Sequence, residues 1–162
     1  LNKQFIPAEF KVPLSLETAD FRLRMLTIHD VVKDFDAVMT SVKSLQGVFC
    51  EGSKWPEETL TLEQDLIDLA WHQKEFQRRS SFAYTIMALD ESRCLGCLYI
   101  YPPSRVEVDA EIIFWVRESE LQSGLEQKLC ETIKKWMQDA WPFITIIYPG
   151  RDPLSGVRLK QS

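Results

Sequence analysis

The chain has 162 residues, 27% of them charged and 45% hydrophobic, with a net charge of -5. These proportions fit one globular core and exclude a disordered or membrane-embedded chain. The acidic balance draws in neither phosphate backbones nor anionic lipids, so nucleic acid is not an expected partner.

No apolar run reaches the roughly 18 residues of a spanning helix, and Leu1 to Lys11 is too polar for a signal peptide, so no membrane association and a cytoplasmic location are expected. The first twenty residues carry Pro7 and Pro13 with weak periodicity and read as an arm lying over the surface. FRLRML then alternates Phe21, Leu23 and Met25 with Arg22 and Arg24, the period of a half-buried strand. Thr27 and Asp30 open a helix whose apolar positions Ile28, Val31, Val32, Phe35, Val38, Met39 and Val42 keep helical spacing. Gly47, Gly52 and Pro56 mark a loop. Thr61 and Gln64 open a second helix, with Leu62, Leu66, Leu69, Ala70 and Phe76 running to about Arg79.

SFAYTIMAL and RCLGCLYIY read as two strands of a hairpin joined by Asp90, Glu91 and Ser92. Cys94 and Cys97 form a CxxC within that second strand. With no second pair for zinc and no helix start for redox chemistry, they read as small buried strand residues.

The stretch from Glu107 to Met137 organises the rest. Ile112 to Val116 are apolar in succession, as in a strand buried on both faces. Leu125, Leu129, Ile133 and Met137 then lie four apart, one face of a helix. Between the two lies ESELQSG, where the free N–H groups of a helix start bind either a ligand's anionic oxygens or the chain's own side chains. Ser123 and Glu126 have the spacing of a capping box, which would satisfy the helix start from within. A last apolar strand is expected over Phe143 to Tyr148. Residues 1–162 thus make a single domain with an arm at 1–20 and a tail at 149–162. The fold class is α/β, a mixed sheet of about five strands with helices on both faces.

The element order, the lead-in ETADFRLRMLTIHD, LGCLYIY and the core AEIIFWV followed by a long amphipathic helix resemble the GCN5-related N-acetyltransferases (GNAT), in the branch acting on protein N-termini and small amines. The resemblance covers about Glu17 to Gly150. It implies an acyl-CoA N-acyltransferase-like sheet whose usual C-terminal strands are missing. It further implies transfer from acetyl-CoA to the primary amine of a small molecule or peptide.

By position it implies that backbone groups of Phe114, Trp115 and Val116 hold the pantetheine. Main-chain donors at Ser123, Gly124 and Leu125 would meet the diphosphate. Glu111, with Asp109 two residues earlier, would serve as the base an ammonium needs before it attacks a thioester. The family's donor to the leaving thiolate is a tyrosine on a later helix that does not appear here, and Tyr148, at the end of the last strand, is either a substitute donor or a core or edge tyrosine. Trp55 would line an acceptor pocket, and His72 would orient the substrate or pair with nearby acids.

Two departures from the family pattern support another reading. The diphosphate loop positions hold Leu121, Gly124 and Glu126, of which only the glycine fits. The helix and strands that usually follow the fifth strand do not appear. A non-catalytic GNAT-like scaffold for binding or oligomerisation, with a degenerate coenzyme A site, is the alternative. The apolar edge FITIIY is expected to be covered by the arm or by a second copy in a homo-oligomer.

Overall fold

In the computed structural model, which describes residues 4–160, six strands form one sheet whose spatial order is the order of the chain. They are β1 (Ser15–Glu17), β2 (Arg22–Met25), β3 (Phe82–Met87), β4 (Cys94–Tyr101), β5 (Ala110–Val116) and β6 (Ile146–Ile147). Neighbours are antiparallel except β5 and β6, which run parallel across the helical crossover. The helices are α1 (Val31–Met39), α2 (Val42–Leu45), α3 (Leu62–Gln77) and α4 (Leu125–Ala140). None of them is long and apolar enough to cross a membrane.

Strand alternation divides the core into two layers. Ile112, Phe114 and Val116 of β5 pack with Leu125, Leu129, Ile133 and Met137 of α4. Ile113 and Trp115 turn to the other face, toward Ala37, Val38 and Leu69 of α1 and α3. Each fully buried aliphatic side chain in these layers contributes about 1.5 to 3 kcal/mol. The heptad-like spacing of α4 therefore marks a genuine inner face.

The sheet has one strand more than expected. Ser15–Glu17, within the stretch read as an irregular arm, pairs with β2, and the Tyr84 hydroxyl donates to Pro13 O at 2.6 Å just before it. Ahead of it, Phe5, Ile6 and Phe10 pack against the core, with Phe5 stacked on Phe82 and Phe143. The arm thus covers Phe143 and leaves Ile144 94% exposed.

The expected first helix is broken. A 3-10 turn over Ile28–Asp30 precedes α1, and the helix stops at Thr40, whose hydroxyl donates to Asp36 O at 2.6 Å. Buried Ser41 then accepts the Glu118 N–H at 2.8 Å, tying this break to the end of β5. The last strand is also shorter than its apolar run. The N–H groups of Ile144 and Thr145 both donate to Asp109 Oδ2 at 2.8 Å, so only Ile146 and Ile147 extend the ladder.

The Arg24 guanidinium locks the other end of the sheet. It donates to both Asp30 oxygens at 3.0 and 2.7 Å and to Glu91 at 2.8 Å, joining β2, the start of α1 and the β3–β4 hairpin. Gly96 sets the approach of β4 to β5, since a Cβ there would stand 2.0 Å from the Trp115 carbonyl oxygen. Gly96→Ala is therefore expected to cost about 3 kcal/mol, because the obstacle is backbone that cannot turn aside. Urea unfolding of the variant against the parent chain measures it, and an unchanged midpoint contradicts the packing described.

Candidate functional site

β5 and β6 stay together only through Ala110↔Ile146 and Glu111↔Ile147, after which they part. Arg117 N–H donates to Leu95 O at 2.8 Å, so by alternation Trp115 also directs its backbone groups to β4. Phe114 and Val116 direct theirs into the gap. Of the three residues expected to offer backbone partners, these two do so on the open side.

The gap has an occupant from the chain itself. The Arg151 side chain, only 4% exposed, lies over the Phe114 ring with its guanidinium carbon 3.5 Å from the centroid. It donates to the Phe114 carbonyl, to Glu126 Oε1 at 2.7 Å and to Gly156 O at 2.8 Å. Burial pushes its pKa down while Glu126 opposes that shift. The segment after β6 is held by a bridge between Arg151 and Arg158 and by Lys134 Nζ donating to Pro153 O at 2.8 Å. It is also held by Gly156, where a Cβ would meet Cys130 Sγ at 2.2 Å. A cavity of about 390 Å³ remains beside it, walled by Leu45, Trp115, Val116, Leu121, Glu126 and Arg158.

The start of α4 differs from a capping box. Gly124, at φ +83°, is the N-cap in the left-handed region that suits glycine. Ser123 Oγ donates to Glu120 O at 2.8 Å and accepts the Leu125 N–H at 3.2 Å. The Ser123 N–H donates to Glu120 O at 3.2 Å, and the Glu126 carboxylate reaches Arg151 instead of turning back. A guanidinium two elements away thus outcompetes the local amide for Glu126, since a charge-assisted bond is roughly twice as strong as a neutral one. The same pair cancels the negative charge that Glu126 would otherwise set at this helix start.

Glu111 shares the face of Ile113 and Trp115 by alternation, with Tyr101 opposite it on β4. Its carboxylate accepts the Ser104 N–H at 2.9 Å and the Ser104 hydroxyl. Tyr148 packs against the α4 layer, with Lys134 Nζ 5.5 Å from its ring centroid, and burial pushes its hydroxyl up to about 12. The two side chains therefore belong to opposite faces of the sheet.

On the Glu111 face, a second cavity of about 300 Å³ opens between α1, α3 and β4. Trp55, His72, Tyr99 and Tyr101 line it together with Asp34 and Asp65. The aromatic wall is continuous. Phe49 meets both Trp55 and Tyr99 edge-on at 5.0 Å, His72 lies 5.2 Å from Tyr99, and Tyr99 stacks on Tyr101 at 5.9 Å. Asp34 and Asp65 are 4% and 1% exposed, and each shifts the other's titration. Burial and mutual repulsion raise Asp34 well above the carboxylate range, and burial raises Asp65 to about 6. The same desolvation lowers His72 to about 4, so its imidazole is neutral near pH 7. Among the described residues, no three His, Cys, Asp or Glu side chains are arranged to hold a metal ion.

Trp55 and His72, both singled out from the sequence, line this cavity. Asp34, Asp65 and Arg151 are additions from the tertiary structure. Asp34 stands four residues before Val38 and Asp65 four before Leu69, so helical spacing already set both carboxylates on inward faces.

No protein-family model and no curated protein sequence matches the chain. Solved structures do. A ribosomal-protein-S5-alanine acetyltransferase from Vibrio fischeri superposes with a TM-score of 0.65 at 14% identity, over 84% of this chain and 73% of that one. RimL, a ribosomal alpha-N-protein acetyltransferase in complex with coenzyme A, gives 0.59 at 18% identity, over 77% and 66%. The microcin C7 self-immunity acetyltransferase MccE, in complex with acetyl-CoA and AMP, gives 0.58 at 9% identity, over 78% and 68%. The chain therefore carries the GNAT acyltransferase fold, in a form that spans about two thirds to three quarters of these proteins' length.

The cavity acids leave a signature in stability. Asp65, raised to about 6, favours the folded chain most below the ordinary carboxylate range, and this contribution is lost as pH rises through about 6. His72, lowered to about 4, contributes above its ordinary value near 6.5 and loses this as pH falls toward about 4. The two slopes oppose each other. Asp65→Asn removes the falling one, so its melting temperature is expected to climb more steeply than that of the parent chain between pH 4 and 6.5. Parallel melting curves for the two proteins across that range rule this out.

Proposed function

We propose that the chain is a GNAT-family N-acyltransferase that moves an acetyl group from acetyl-CoA to a primary amine. The observation that carries this reading is the parting of β5 from β6 after Glu111 and Ile147, which turns the backbone of Phe114 and Val116 toward a groove. In this reading Phe114 and Val116 receive the pantetheine amides. The main chain at Ser123, Gly124 and Leu125 faces the diphosphate, with its N-cap in a left-handed glycine. Glu111 takes the proton that the ammonium sheds before attack, directly or through water. Trp115 supports the acceptor face from beneath, its indole N–H donating to the Tyr99 hydroxyl at 3.1 Å, and Tyr148 remains the candidate donor to the departing thiolate.

The donor's fit depends on Arg151. Its guanidinium occupies the Phe114 carbonyl, so a pantetheine seated there has to displace it, while the cavity along Val116 is open. This contact favours a second reading, a GNAT-fold binding or oligomerising protein with no acyl transfer. Calorimetry separates the two. Acetyl-CoA is expected to bind the parent chain, and at least tenfold more tightly the R151A/E126A double variant, which frees the carbonyl without leaving Glu126 unpaired. At a hundred times its dissociation constant the ligand stabilises the fold by about 2.7 kcal/mol. No heat and no thermal shift with either protein selects the second reading.

A homo-oligomer along β6 is part of the proposal. Ile144 is 94% exposed beside a two-residue edge strand, although the arm packs on its neighbour Phe143. Light scattering is expected to give more than the monomer mass, with Ile144→Lys restoring the monomer. A monomer for the parent chain refutes it.

A further inference from the structure

We infer that the cavity walled by the arm, the β4–β5 loop and the lead-in to β6 binds an amphipathic monocarboxylate, an alkyl chain with one acid head, and that Arg105 holds the head. The inference stands apart from acyl transfer, since none of Glu111, Phe114, Val116 and Tyr148 borders this space.

The walls are the first argument. At about 820 Å³ this cavity is larger than the one beside Arg151 and the one between α1, α3 and β4. Its lining is mostly apolar, with Phe5, Ile6, Val106, Val108 and Phe143 among it, and its size is that of a small-molecule pocket. Each wall is pinned by hydrogen bonds. The Arg79 guanidinium donates to the carbonyls of Pro7 and Phe10 at 2.8 and 3.0 Å, which fixes the arm. The Ser104 N–H donates to Glu111 at 2.9 Å and fixes the loop, while Asp109 takes the amides of Ile144 and Thr145 and fixes the lead-in. Pro102, Pro103 and Pro142 stiffen the same two segments, because the proline ring sets φ. A ligand therefore has little of the protein to order when it enters.

Charge is the second argument. Arg105 lies on the wall of this cavity, and among the described residues its guanidinium has neither a hydrogen bond nor an ion pair. Every other arginine of the chain has at least one. Asp109, the acid on the same wall, is already engaged by two amides at 2.8 Å. The planar fork of an arginine fits a carboxylate through two parallel bonds. One cation balances one negative charge, and the apolar walls suit a hydrocarbon body better than a second charged group. Val106, next to Arg105, leaves almost its whole side chain in water, apolar surface that a bound chain would cover.

The test is calorimetry on the full chain at pH 7 with hexanoate, octanoate and decanoate, each below its micelle concentration, and with 1-octanol. Octanoate is expected to bind about tenfold more tightly than 1-octanol, the share of a charge-assisted hydrogen bond. Along the carboxylate series each added pair of methylenes is expected to tighten binding about tenfold. Arg105→Gln is expected to bring octanoate down to the affinity of 1-octanol and to leave the alcohol unchanged. Val106→Asp is expected to weaken both. Both positions are exposed, and circular dichroism checks that the variants fold.

Equal binding of octanoate and 1-octanol by the parent chain, or no binding of any of the three carboxylates, overturns the inference. An unchanged octanoate preference in Arg105→Gln does so too, because it places the acid at another cation such as Arg158. Titration with acetyl-CoA keeps the result separate from the catalytic proposal. A chain that binds acetyl-CoA and no octanoate loses this site and keeps the acyl-transfer reading, and one that binds octanoate through Arg105 keeps this site whatever coenzyme A does.

Discussion

Arg151 joins three parts of the chain that no ladder connects. From the turn after β6 it reaches into the gap beside β5, where its guanidinium meets the Phe114 ring, the Phe114 carbonyl and the Glu126 carboxylate. A cation 4% exposed is stable there only because every direction offers it an acceptor or a π face. In return it satisfies a strand carbonyl that the parting of β5 and β6 would leave bare. It also neutralises a carboxylate at a helix start that would otherwise repel an anion. The filling of the cleft and the charge balance at the head of α4 follow from this one side chain, and it helps to hold residues 149–160 in place.

The two faces of the sheet carry different chemistry because strand alternation divides β5 between them. On the α4 side, Ile112, Phe114 and Val116 build an apolar layer, and Tyr148 joins it as a packing residue. On the α1 and α3 side, Ile113 and Trp115 lie beneath an aromatic and acidic chamber that also borders the Glu111 strand end. The splayed edge and the chamber thus open in different directions from the same strand.

Periodicity carried the architecture well where the core is two-sided. The strand Ala110–Val116, the helix Leu125–Ala140 and the hairpin of β3 and β4 were all legible, because each buries a face whose spacing matches its own geometry. Boundaries failed where a side chain captured backbone groups. Asp109 takes the amides of Ile144 and Thr145 and shortens β6, and Thr40 with Ser41 ends α1 early. The Ser123 and Glu126 pair obeyed a local rule that a distant guanidinium overrode.

The order of residues by itself determined which segments are strands and helices and which of their faces turn inward, since those follow from repeats of about two and 3.6 residues. It also set Asp34 and Asp65 on inward helical faces. Only the tertiary structure decided that these two acids meet, that Glu111 and Tyr148 part to opposite faces, and that Arg151 fills the gap beside Phe114. Each is a contact between residues far apart in the chain. Such contacts depend on where whole elements come to rest against one another, which no local spacing encodes.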